Sequence, residues 1–163
     1  MNEYQEAAWL GNFGSLFPSK TTWLEKKLVD VDLLSETPNE SQLSNYYIKV
    51  MDNNVAYGSG KTMSGEWIEN QAFIHWLSSA IQKNVFSLLL TKNKIPATTQ
   101  GAELVIAKLR EVLELGIIQD GISSYDIYDY TLQPNQHNIK IKFKAMLVNS
   151  ITYVDGIDGE ITT

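Results

Sequence analysis

The stretch "GEWIENQAFIHWLSSAIQKNVFSLLLTKNKIPATTQGAELVIAKLREVLELG", residues 65–116, decides the fold. Apolar residues recur at Ile74, Leu77, Ile81, Val85 and Leu88, the spacing of one face of a helix running from Glu66 to about Leu90. Gln71, His75, Ser78, Ser79 and Gln82 fall on the other face, and Ser64 is placed to cap the helix start. Glu66 and Glu69 near the start, with Lys83, Lys92 and Lys94 near or past the end, complement the helix dipole. Pro96 breaks the chain. A second amphipathic helix is expected from about Gln100 to Leu115, with Val105, Ile106, Leu109, Val112 and Leu113 inward and Gly116 as a left-handed cap. A short proline loop between two such helices predicts an antiparallel pair.

After residue 116 the period changes to two. "YDIYDYTL" and "NIKIKFKAML" read as strands separated by the turn formers "QPNQ". In the second, Ile139, Ile141, Phe143 and Ala145 share one side while Lys140, Lys142 and Lys144 share the other, so one face is core and one is wet. "SITYVDGIDGEIT" adds one or two short edge strands cut by glycines. On the N-terminal side of the helices, "NYYIKVMDNNVAYGSG" reads as two strands about a "DNN" turn, and "TPNE" as the capped start of a short helix from Thr37 to about Leu43. Residues 1–35 mix glycine, proline and serine with Trp9, Phe13, Phe17 and Trp23, which suits a segment wrapped round a body through aromatic anchors. The expectation is an α+β fold: a sheet of antiparallel or mixed strands with two long amphipathic helices on one face. Residues 1–45 form an irregular wrapping segment and 46–163 the domain.

The 163 residues suffice for one domain with a real core. A formal charge of −6 disfavours a general nucleic-acid binder, whose affinity rests on a basic surface. With no cysteine, disulfides, thiolate metal sites and cysteine nucleophiles are excluded. Apolar runs such as "LVIA" and "LLL" fall far short of the roughly 18 residues of a membrane helix, and "MNEYQEAAW" lacks a secretory pattern.

"GSGKT", Gly58 to Thr62, invites comparison with a phosphate-binding loop, but Val55 stands where that motif needs its first glycine, and the lysine precedes the helix instead of opening it. A small nucleotide- or ligand-binding protein using this turn is therefore the alternative reading. His75 and His137 lack the spacing of a helical zinc site, and no serine-hydrolase elbow occurs. The carboxylates at Asp126 and Asp129, and at Asp155, Asp158 and Glu160, sit in turn-like surroundings that miss a calcium loop's ligand order. Trp67 and Trp76 offer a stacking platform in principle, though helix tryptophans more often anchor a core or an interface. The residues point to no catalytic site, no metal and no cofactor. A compact α+β body with edge strands instead points to assembly by strand addition.

"AAWLGNFGSLFPSKTTW", "NYYIKVMDNNVAYGSGKTMSGEWIENQAFIHWLSSAIQKNVFSLLL", "KIPATTQGAELVIAKLREVLELGII" and "KIKFKAMLVNSITYVDGIDGEI" together resemble the C-terminal region of tail sheath-like structural proteins of contractile-tailed bacteriophages and prophages. The most telling features are the ordered series Gly65-Glu66-Trp67-Ile68, Asn84-Val85-Phe86, and Ile95-Pro96 with Gly101, then the closing strand pair. The resemblance implies a non-enzymatic virion subunit, assembled in the bacterial host cytoplasm, that polymerises helically with other sheath subunits around the tail tube protein, without nucleic acid or membrane. A baseplate or other tail component sharing the domain is the neighbouring possibility. Family members are usually longer, so the resemblance implies either a fragment starting at a domain boundary or a short reading frame. The family tends to place a basic residue before its last strands, where this chain has "QPNQHNIK". On this reading the edge strands at 139–161 meet other subunits, with Lys140, Lys142, Lys144, Tyr153 and Ile157 as interface candidates.

Overall fold

A computed structural model describes residues 5–29, 31–33, 45–50 and 52–152. The elements run in the order α1 (Gln5–Phe13), β1 (Asn45–Val50), β2 (Asn53–Gly58), α2 (Ile68–Thr91), α3 (Thr99–Ile118), β3 (Ile122–Gln133) and β4 (Asn138–Leu147). Single 3-10 turns lie at Pro18–Lys20 and Pro134–Gln136. The α+β class holds. Among the described residues the strands form two separate antiparallel pairs, β1 with β2 and β3 with β4, in place of one sheet. The expected helix from Thr37 and the terminal strands beyond residue 152 lie outside the described residues.

The long helices pack antiparallel: Phe73 and Leu77 near the start of α2 meet Leu109 and Leu113 near the end of α3, and the Asn84 side-chain amide donates to the Lys108 carbonyl at 2.8 Å. The inward residues expected on α3 are all buried. On α2 the expected face is rotated: Phe73 is the buried anchor and Ile74 is 42% exposed. Leu77 and Leu88 are buried from both viewpoints, because an apolar-rich helix offers two overlapping stripes and the partner selects one. Ile122 completes the core, with Trp76, Tyr125, Ile127, Ile141, Ala145 and Leu147 packed around it.

The helix ends differ from expectation in an instructive way. Ser64 does not cap α2. Its hydroxyl bonds that of Thr62 at 2.8 Å, and Trp67 occupies the cap position without a side-chain bond, while the Ile68 N–H donates to the Gly60 carbonyl. Thr98 does cap α3, accepting from the Gly101 N–H. Gly116 is not the left-handed residue that ends α3. Asp120 is, at φ 56°, and the Asp120 N–H donates to the Ile117 carbonyl and the Gly121 N–H to the Gly116 carbonyl, a Schellman closure. Gly116 and Gly121 are instead needed for packing. A Cβ on Gly121 would lie 2.1 Å from the Phe73 ring.

Among the described residues the β1–β2 hairpin packs on the N-terminal segment. Leu28, Tyr47 and Ala56 are buried together, with Trp9, Phe13 and Val31 against them. Residues 25 and 26 extend the hairpin edge through Glu25 N–H to the Ala56 carbonyl at 2.7 Å and Ala56 N–H to the Lys26 carbonyl at 2.8 Å. Trp23 joins α1 through ring contacts with Trp9 at 5.9 Å and Phe13 at 6.3 Å. This N-terminal lobe meets the helical body through Phe17, edge-on to Trp76 at 4.5 Å, through Ser19 donating to the Gln119 carbonyl at 2.6 Å, and through a Lys20–Asp120 ion pair.

Candidate functional site

The glycine-lysine turn closes on itself. Gly60 N–H is taken by the Asn45 side-chain oxygen at 2.8 Å, Lys61 N–H by the Ser59 hydroxyl, and Thr62 N–H by the Glu66 carbonyl at 2.8 Å. These are the amides a phosphate would need, and each already has an acceptor. The Lys61 ammonium lies over the Trp67 ring, 5.1 Å from its centroid, a cation–π contact that occupies both groups. Gly60 has φ 63°, and a Cβ there would sit 2.8 Å from Leu24, so this glycine serves the contact with the N-terminal segment.

Other chemistry-bearing residues are scattered. His75 and His137 are exposed and lie on separate elements. Among the described residues no group of three or more His, Cys, Asp or Glu converges, and no helix is long and apolar enough to cross a membrane. Trp76 is no open platform: Phe73 stacks on it at 5.4 Å with Phe17 on its edge. Glu69 is the one buried charged side chain among the described residues, and burial raises its pKa above the usual carboxylate range.

The β3–β4 hairpin is the surface on which the sequence placed the interface. Its inner residues Ile141, Ala145 and Leu147 pack on the core, while Lys140, Lys142 and Lys144 are exposed. Phe143, expected inward, is exposed as well. Its register partner Ile127 adjoins an irregularity between Ile127 and Asp129 on β3. The lysine stripe is not uniform. Lys142 bonds Asp129 at 2.8 Å, and that hydrogen bond raises the lysine's pKa and lowers the aspartate's. Lys140 faces Thr131 and Lys144 faces Asp126 in register, and neither forms an ion pair among the described residues. Each strand of the hairpin pairs with the other alone among the described residues, leaving one edge of each strand unpaired there. Tyr153 and Ile157 lie outside the described residues.

Residues 68–127 match the family model described as E217 tail sheath protein gp31-like, C-terminal domain. The matched span covers α2, α3 and the first half of β3, and it begins at the first residue of α2. The match supports a phage tail sheath C-terminal region and a tail sheath-like structural protein of the virion tail, in agreement with the sequence resemblance. No curated protein matches the chain.

One surface escaped the sequence reading. Phe86, Leu89 and Leu90 on α2 are more than half exposed. The signal was present: three consecutive leucines, 88–90, cannot all face one side of a helix.

Proposed function

We propose that the chain is a subunit, or the C-terminal portion, of a contractile tail sheath that polymerises around the tail tube. The observation that carries this reading is the tail-sheath match across the helical pair and into β3, the elements that carry the exposed hairpin. Assembly demands surfaces able to hold neighbours while rigid bodies tilt, and strand addition to a free edge does so through main-chain hydrogen bonds. The β3–β4 hairpin supplies such edges, and the region from residue 139 to 161 meets neighbouring subunits. Lys140 and Lys144 are offered to an acidic tube or subunit. Lys142 contributes less, since Asp129 already satisfies it. Tyr153 and Ile157 extend the same interface. In this function the chain binds no cofactor, performs no turnover and is assembled in the host cytoplasm.

Helical reconstruction of assembled particles tests the proposal. The hairpin should lie against a neighbouring chain, and finding it in open solvent would defeat the reading. Melting with ATP and Mg²⁺ supplies a separate check: no saturable rise in Tm is expected, because ligand binding to the native state would stabilise it by mass action. Lys61→Ala should leave that result unchanged.

A further inference from the structure

Between Phe13 and Trp23 the chain leaves the N-terminal lobe, crosses to the helical body and returns. Both ends of this excursion are pinned in the lobe: the Trp23 ring lies 6.3 Å from that of Phe13 and 5.9 Å from that of Trp9. Residues 14–22 therefore form a compact surface loop whose ends are held close. The loop keeps a shape of its own. The Leu16 N–H donates to the Phe13 carbonyl at 3.1 Å and the Lys20 N–H to the Phe17 carbonyl at 2.9 Å, with Pro18 fixing the backbone at the start of the single 3-10 turn.

The tip of the loop grips the body by three contacts. Phe17 meets the edge of Trp76, on the ring that stacks with Phe73. The Ser19 hydroxyl donates to the Gln119 carbonyl at 2.6 Å, one of those that the end of α3 leaves open. Lys20 pairs with Asp120 and so places a cation at the negative end of the helix dipole. This grip is shallow. None of residues 18–20 is buried, Phe17 is half-buried, and the ion pair is open to water, with side-chain exposures of 42% and 72%, so salt screens it. The covalent link from β2 to α2 is firmer. Asn45 on β1 bonds both the Gly60 N–H and the Lys61 carbonyl, and the Ile68 N–H donates to the Gly60 carbonyl, which ties the turn to the lobe and to the helix. A weak clasp beside a knitted joint confines opening to the loop.

We propose that residues 14–22 are a lid over the Phe73–Trp76 pair, held shut by Phe17 and by the Lys20–Asp120 clasp and released as ionic strength rises. Lifting the lid bares the edge of Trp76 and frees the α3–β3 corner, while Phe13, Trp23 and the core around Leu113 stay in place. The lid goes beyond the sheath reading and does not depend on it.

Fluorine NMR of the full chain labelled with 5-fluorotryptophan tests it. The four tryptophans give four signals, and Trp76→Phe identifies that of Trp76. That signal should show microsecond-to-millisecond exchange with a minor open state. Lys20→Met should raise the open population about threefold. Phe17→Ala should raise it about tenfold. Salt at 1 M, where the screening length falls to about 3 Å, should act on the wild type as Lys20→Met does and add nothing in that variant. The Trp9 and Trp23 signals should stay unchanged throughout, which also reports that the lobe remains folded. A Trp76 signal without exchange in the wild type, in Lys20→Met and in 1 M salt overturns the proposal, as does exchange that neither the variant nor salt alters. Trp9 and Trp23 exchanging at the same rate as Trp76 overturns it too, because the whole lobe would then be the moving part.

Discussion

The N-terminal lobe and the helical body are built by different means. In the body, two long helices and a hairpin enclose a single cluster centred on Phe73, Leu113 and Ile122, each almost wholly buried. In the lobe, a short helix, a hairpin and an irregular segment share a smaller cluster of Leu28, Tyr47 and Ala56, with Leu24, Tyr46 and Ile48 buried beside it, and are tied by side-chain-to-backbone bonds, chiefly those of the Tyr47 hydroxyl with Leu28 and Asn54. Apolar burial is non-directional and cooperative, whereas isolated polar ties are lost one at a time. The body should therefore behave as the stable unit and the lobe as one that opens below the global transition. The tail-sheath match falls wholly within the body.

The strongest way to break this contrast is to cut each centre. Leu113→Ala, at a fully buried position, should cost about 3–5 kcal/mol and lower Tm for the whole chain in one transition. Tyr47→Phe should cost about 1–2 kcal/mol, the loss expected for a buried hydroxyl that leaves Leu28 groups unsatisfied. Its effect should be regional: hydrogen exchange should quicken in β1, β2 and residues 25–28 while α2 and α3 amides stay protected. A uniform increase across both regions would merge them into one cooperative unit.

What the sequence made legible follows the same division. Periodicity located α2, α3 and the β3–β4 hairpin because each hides one face on a common core, and burial is the force that periodicity records. In the lobe, the aromatic anchors were readable but their grouping with β1 and β2 was not. That grouping depends on Tyr47, whose hydroxyl reaches 19 residues back along the chain, and no local pattern encodes such a tie. The rotation of α2 toward Phe73 also depended on a distant residue, since Gly121 opens the space that the ring enters. For the interface, alternation found the lysine stripe, but the irregularity in β3 set which lysine met Asp129. The exposed Phe86–Leu90 surface was hidden by its own composition, since apolar residues on a helix read first as core.

A smaller effect sharpens the account of the helix ends. Thr98→Ala removes the acceptor for the Gly101 N–H and should cost about 1 kcal/mol, seen as a fall in Tm and faster exchange in the first turn of α3. Removing Ser64 with Ala should do less, because that hydroxyl bonds Thr62 in an exposed loop and leaves the α2 amides as they were. A larger loss at Ser64 than at Thr98 would restore the capping role that the sequence pattern assigned to it.

The smallest effects concern pH, where two carboxylates act with opposite sign. Asp129 has its pKa lowered by Lys142, so its contribution is present above the unfolded pKa and lost as pH falls through the lower folded value. Glu69 has its pKa raised by burial, so the folded state binds its proton more readily than the unfolded chain; its favourable contribution is present below the unfolded pKa and lost as pH rises through the folded one. Asp129→Asn should therefore flatten the acid limb of the stability profile, while Glu69→Gln should raise Tm at neutral pH and leave it little changed in acid. The Asp129 pair is exposed and screened by salt, so its effect should fade as ionic strength rises, whereas the Glu69 effect, arising from burial, should persist. Equal salt sensitivity of the two variants would mean that Glu69 responds to neighbouring charge and not to burial at the start of α2.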